Sequence, residues 1–217
     1  MKKINLTLLI LIIGINSFAQ YKKANYFGKE GRTYGVGTRF YAMGEGIGTK
    51  MGYSLSVGSE TEGKRFIGGY ELQYIPKHEF QFWTLDHNNL DALVDGTTKP
   101  TFIFQINLGS YLLSNDADRK IKPYVIANII FQFAGGVKES TSEDTDAKYA
   151  APTQFGVGVG AGAGSLFYLN SWLALKGEVG YAYTVGTGNN TSNGLYYIFP
   201  KHANASAGFV FRVGGKK

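Results

Sequence analysis

Beyond residue 33, apolar residues recur at every second position, and no convincing stretch repeats at period 3.6. The clearest case is 203–213. Ala203, Ala205, Ala207, Phe209, Phe211 and Val213 fall on one face, with Asn204, Ser206, Gly208, Val210 and Arg212 on the other. Over 172–185, Leu173, Leu175, Val179, Tyr181, Tyr183 and Val185 oppose Lys176 and Glu178. Over 153–167, Phe155, Val157, Val159, Ala161, Ala163 and Phe167 oppose Gly156, Gly158, Gly160, Gly162 and Gly164. Segments 33–43, 51–58, 65–75, 101–113 and 121–134 obey the rule less strictly. The pattern predicts eight strands of roughly 8–15 residues, long enough to cross a bilayer at a tilt.

The connections run about 7, 6, 25, 7, 18, 4 and 17 residues, so short and long alternate from the second onward. A soluble sandwich has no reason to gather its long loops at one end, whereas an outer-membrane barrel has short periplasmic turns and long external loops. An even strand count with both termini periplasmic puts 76–100, 135–152 and 186–202 outside the cell. The short turns are then 59–64, 114–120 and 168–171. Glu79–Leu85 also alternates, and a ninth strand would break the parity. It is read as an extension of the third strand interrupted at Pro76, or as an external hairpin. In hydrocarbon an unpaired backbone amide costs several kcal/mol, so the sheet must close on itself. The predicted fold is all-β, an eight-stranded antiparallel up-and-down transmembrane β-barrel. Tyr34, Phe40, Tyr70, Tyr74, Phe131, Phe133, Trp172, Tyr181 and Tyr183 lie on or beside its apolar faces, many near strand ends where aromatic girdles form.

The first residues add a destination. Lys2 and Lys3 precede an apolar run from Leu6 to Ile15, and Ser17 and Ala19 supply small residues at −3 and −1 of a cleavage site. This is the layout of a secretory signal peptide. The chain thus divides into a signal peptide (1–19), a short periplasmic segment (20–32), the barrel (33–213) and a tail (214–217). Loss of Lys2 and Lys3 lowers the formal charge from +6 to +4, which weakens any nucleic-acid reading. The absence of Cys among 217 residues excludes disulfides, thiolate metal sites and a lipidated cysteine. Aromatics at 15% and modest net charge exclude intrinsic disorder, and a mean hydropathy of −0.12 excludes a bundle of membrane helices.

Signal peptide, alternating strands and long external loops together resemble the small outer-membrane barrels of the OmpA/OmpX/OmpW and PorT-like kind, over about residues 33–213. Ser17-Phe-Ala-Gln20 resembles the signal-peptide ending common in Bacteroidota, a Gram-negative group. The resemblance implies an outer-membrane location, contact with membrane lipid and lipopolysaccharide, insertion by the barrel assembly machinery, and outer-membrane protein partners. Such barrels usually end on an aromatic residue. Here Phe209 and Phe211 are followed by Val213-Gly-Gly-Lys-Lys, which departs from that ending.

Candidate chemistry is sparse. Gly58 to Lys64 matches the glycine and lysine spacing of a phosphate-binding loop, but Arg65 stands where Ser or Thr should hold magnesium and no helix follows. The Gly156–Gly164 ladder has the two-residue period of a strand, with glycines leaving lumen space for bulky residues opposite. His78, His87 and His202 form no metal spacing. His202 shares lumen parity with Ser206, as in barrel hydrolases of lipid A, but at a spacing of four; a solvated rim histidine is the favoured reading. Glu139, Glu143, Asp144 and Asp146 crowd one external loop without the oxygen spacing of a calcium site, so they are read as a solvated loop rather than a cation bridge to lipopolysaccharide. No catalytic residue, metal or cofactor is assigned.

The informative set is polar. Arg39, Arg65, Glu71, Lys176, Glu178 and Arg212 take the parity opposite the apolar residues, so they project inward. An eight-stranded barrel is just wide enough for side chains to fill it. Mixed charges there pair across the lumen and close it, since paired buried charges are tolerable and lone ones costly. The expected protein is a non-enzymatic structural or accessory component of the outer membrane, or a subunit of a larger envelope complex. A narrow porin-like channel is the alternative, and a lipid-modifying barrel enzyme the third reading.

Overall fold

The computed structural model describes residues 30–43, 49–61, 64–77, 79–85, 91–113, 115, 119–141, 148–151, 153–186 and 201–214. Eight long strands carry the alternation: β1 (Glu30–Met43), β2 (Thr49–Thr61), β3 (Phe66–Ile75), β6 (Thr101–Tyr111), β7 (Ile121–Ala134), β10 (Gln154–Tyr168), β11 (Leu173–Gly186) and β12 (Lys201–Val213). They close into one barrel in which every neighbour is antiparallel, and β12 returns to β1. Four short strands stand apart as two hairpins: β4 (Glu79–Leu85) with β5 (Asp91–Thr97), and β8 (Val137–Thr141) with β9 (Lys148–Ala151). The described residues contain no open edge in the main sheet, as closure requires.

Register sets the shape of the cylinder. Following paired residues once around from Thr33, through Gly58, Gly69, Asn107, Asn128, Gly160, Ala182 and His202, returns to β1 at Met43, ten residues further along. Eight strands with a stagger of ten residues tilt by about 40° from the axis, given the usual rise and strand spacing. Such a barrel has room for side chains and little else.

The expected segments differ from the strands mainly at their ends. β1 begins at Glu30, three residues before the alternation does, because Glu30 to Arg32 continue the ladder to Thr61, Glu60 and Ser59 on β2. β2 likewise runs on to Thr61. Connections 62–65, 112–120 and 169–172 join strands at one end of the barrel, where β1 also starts and β12 stops. Both hairpins leave from the opposite end. Of the two readings of Glu79–Leu85, the hairpin holds: its partners are residues 91–97, not a barrel strand. The β8–β9 hairpin has no counterpart in the sequence reading.

Each barrel strand presents one face outward and one inward. Val36, Phe40, Leu55, Tyr70, Phe104, Ile129, Val159, Val179, Tyr181 and Phe209 are exposed on the outside. Arg39, Glu71, Gln73, Gln105, Lys122, Gln132, Glu178 and Asn204 are buried within. This inverts a soluble protein, with apolar rings and β-branched chains outside and polar groups inside. Aromatic contacts cross neighbouring strands on the outer wall: Tyr74 with Phe102, Phe133 with Phe155, and Trp172 stacked on Phe211.

Candidate functional site in the barrel lumen

Arg39, from the middle of β1, crosses the lumen. Its Nη2 donates to Glu71 Oε1 on β3 and to Glu178 Oε1 on β11, both at 2.8 Å, and its Nη1 donates to Asn204 Oδ1 on β12 at 2.7 Å. Lys176 Nζ lies 3.0 Å from Glu178 Oε2 and 3.5 Å from Glu71 Oε2. Two cations therefore face two carboxylates. Neutral groups complete the set: Gln73 Nε2 donates to Glu71 Oε1 at 3.0 Å, Tyr41 donates to Gln73 Oε1 at 2.6 Å, and Tyr124 donates to Glu178 Oε2 at 2.8 Å. Burial of charge is tolerable when it is paired and hydrogen-bonded. Here both carboxylates are paired, and of the Arg39 guanidinium nitrogens only Nε makes no hydrogen bond among the described residues.

The register shows why these large groups fit. Gly164 on β10 is the partner of both Tyr124 on β7 and Glu178 on β11. A Cβ at Gly164 would stand 2.6 Å from the Tyr124 hydroxyl, so its absence opens the path from Tyr124 to Glu178. Arg39 is flanked by Gly52 and Ser206, and Lys176 by Gly208. Arg39 and Glu178 are thus each set between two small residues, and Lys176 and Tyr124 each have a glycine on one side.

A second cluster sits at the short-turn end. Arg212 Nε is 2.8 Å from Glu60 Oε1, and Glu60 also accepts from Tyr111 at 2.7 Å and Tyr168 at 3.2 Å. Lys122 Nζ donates to Asn115 Oδ1 and lies 4.6 Å from the centre of the Tyr168 ring. A cavity of about 80 Å³ lies between the two clusters, lined by Glu60 and Tyr111 of one, by Tyr124, Lys176 and Glu178 of the other, and by Gly58. Towards the other end, Ile75, Ile103, Ile130 and Gln132 are fully buried and fill the bore.

Of the six charges expected inside, Arg39, Glu71, Lys176 and Glu178 converge. Arg212 is inward but belongs to the second cluster. Arg65 is a correction: it is exposed and precedes β3, because its inward parity falls beyond the last lumen-facing residue, Ile67. Glu60 was missed, having been placed in a turn, although it shares two-residue spacing with Ser56 and Gly58. Lys122 was missed because the inward face of β7 mixes polar residues with Tyr124, Ile126 and Ile130, which blurs the alternation. His202 is also corrected: rather than a solvated rim group, it is buried, 2% exposed, with its ring edge against Tyr41. His78, His87, Glu143, Asp144 and Asp146 lie outside the described residues, as does the Glu139 side chain.

Apolar outside, polar and filled inside, and closed without an edge, the chain has the architecture of an outer-membrane β-barrel. Comparison with known proteins agrees on the fold. No protein-family model matches the chain, and no curated protein matches it. Among solved structures it is similar to a major outer membrane protein from Thermus thermophilus, with a TM-score of 0.53 and 13% identity, over 84% of this chain and 99% of that one. It is also similar to OprG from Pseudomonas aeruginosa (TM-score 0.49, 13% identity, 85% and 96% of the two chains). The N-terminal barrel domain of Pseudomonas aeruginosa OprF gives a TM-score of 0.47 and 16% identity, over 85% and 98%. These structures do not bear on the Bacteroidota origin suggested by residues 17–20.

Proposed function

We propose that the chain is an integral outer-membrane barrel with a plugged polar lumen, exported by residues 1–19 and serving as a structural or accessory component of the envelope rather than as an enzyme. The outward apolar wall supports membrane insertion, since such a surface in water would drive aggregation. The observation that carries the plugged reading is Arg39, held by partners on β3, β11 and β12 at once. An ion crossing the lumen would have to break that set and the Glu60–Arg212 pair as well. The long loops then face outward and the short turns face the periplasm. Work on membranes or on neighbouring proteins falls to the outer wall and the loops.

Two measurements test this. The mature chain fractionates with outer membranes and migrates differently in detergent gels before and after boiling, as closed barrels often do. Recovery as a soluble periplasmic protein would end the membrane reading. In planar bilayers the wild type shows no steady conductance; an open channel would give precedence to the porin-like alternative.

A further inference from the structure

The sequence segments that connect to the two ends of the barrel differ in charge. Segments joined at the short-turn end (20–32, 62–65, 112–120 and 214–217) carry ten Lys and Arg against four Asp and Glu. Those at the long-loop end (44–48, 76–100, 135–153 and 187–201) carry five against nine. By sequence, the segments that lead into one end carry a surplus of six positive charges and those that lead into the other a surplus of four negative ones.

Within the described residues three cations of the short-turn end, Lys64, Arg65 and Lys120, sit among exposed apolar side chains. Lys64 and Arg65 are exposed directly before Phe66, which is itself 60% exposed, and Lys120 is exposed directly before Ile121, at 55%. Backbone bonds hold these residues against the strand ends. Tyr111 N–H donates to Arg65 O, and Tyr168 N–H donates to Lys120 O, both at 2.7 Å. Arg65 therefore lies beside the end of β6 and Lys120 beside the end of β10, with exposed Leu112, Leu113 and Leu169 at the same level. Apolar rings and chains that give way to Lys and Arg within one residue mark the depth where hydrocarbon meets headgroups, and long cationic side chains reach to that plane.

We infer that this short-turn rim is a binding surface for the phosphates of anionic phospholipids, with Lys64, Arg65 and Lys120 as its contacts. The inference rests on the membrane-spanning reading proposed above. Each cation close to an anionic bilayer surface attracts it, over a distance limited by salt screening. The surplus of acids at the opposite end gives that leaflet no such preference, so the barrel recruits anionic lipid on one side only.

Spin-labelled lipids test it. The purified full chain is reconstituted in phosphatidylcholine vesicles with a trace of spin-labelled phosphatidylglycerol or phosphatidylcholine, and the motionally restricted fraction is measured. The wild type should prefer phosphatidylglycerol by about threefold at low salt, with the preference vanishing in ~0.5 M NaCl. Lys64→Gln/Arg65→Gln/Lys120→Gln should abolish the preference, Arg65→Lys should retain it, and Lys50→Gln/Lys77→Gln/Lys99→Gln, which removes equal charge at the other end, should leave it unchanged. A boiling-dependent gel shift confirms that each variant is folded. Equal restriction of the two lipids by the wild type overturns the inference while leaving the membrane reading intact. So does loss of preference in the loop-end variant with retention in the short-turn variant. No restricted lipid at all overturns the membrane reading, and the inference with it.

Discussion

Truncating Glu178 removes the acceptor that Arg39, Tyr124 and Lys176 share. Arg39 keeps Glu71 and Asn204, and Lys176 keeps only Glu71, at 3.5 Å. The central network is left with two cations, Arg39 and Lys176, against one carboxylate, Glu71. Breaking a buried pair in this way costs about 3–5 kcal/mol. Two features push the value towards the lower end. The Lys176 side chain retains 18% exposure, and the adjoining cavity of about 80 Å³ lets water approach the orphaned donors. A loss of about 3 kcal/mol is therefore expected for Glu178→Ala. With a urea slope of about 1–3 kcal/mol per molar, the unfolding midpoint falls by about 1–3 M. The assay is reversible urea unfolding from small vesicles, followed by gel mobility and tryptophan fluorescence. Arg65→Ala is the matched control. Arg65 has inward parity but is exposed beyond the strand, so its loss should cost under ~0.5 kcal/mol. Equal shifts for the two variants, or no shift for Glu178→Ala, would refute the placement of these charges.

Three further outcomes follow from the geometry. Gly164→Val puts a Cβ 2.6 Å from both the Tyr124 hydroxyl and the Gly177 carbonyl, so it should lower stability by about 1–3 kcal/mol in the same urea assay, whereas Gly177→Ala, with nothing within 4 Å of its Cβ, should be tolerated. Because the chain has no native Cys, Asp144→Cys should react with an impermeant thiol reagent on whole cells and Lys120→Cys should not; the reverse would invert the barrel. Replacing 79–96 with a short Gly-Ser linker removes the β4–β5 hairpin but no barrel strand, so the boiling-dependent gel shift should survive; its loss would show that the hairpin is needed for closure.

Most of the barrel was legible because a strand wall between an apolar and a polar space enforces a period of two. Segment 203–213 shows it: Ala203, Ala205, Phe209 and Phe211 are exposed outside, while Asn204 and Val210 are buried. The pattern fails where that constraint lapses. β1 gains Glu30 to Arg32 through backbone pairing with β2, which leaves no mark on side-chain type. The hairpins pair only with themselves, and Val137–Thr141 is too short for alternation to distinguish it from chance. On β7 the apolar residues fall on both faces, with Ile121 and Val125 outside and Ile126 and Ile130 inside beside Asn128 and Gln132, so Lys122 did not stand out.

The lumen was half legible for a different reason. Parity fixes the face of a residue but says nothing of its height, and interaction inside a tilted barrel depends on both. A stagger of ten residues over eight strands raises each registered neighbour by about one residue around the wall. Arg39, Glu71 and Glu178 hold no sequence spacing to one another, yet this rise brings them to a common level. Glu60 and Arg212 share a lower level, which separates Arg212 from the four charges it matches in parity. Arg65 has the same parity and lies below the last lumen level altogether. Six residues of one face thus divide into a central network, an end cluster and an exposed turn. What divides them is the register, and the register is set by the hydrogen-bonded ladders rather than by the identity of any charged residue.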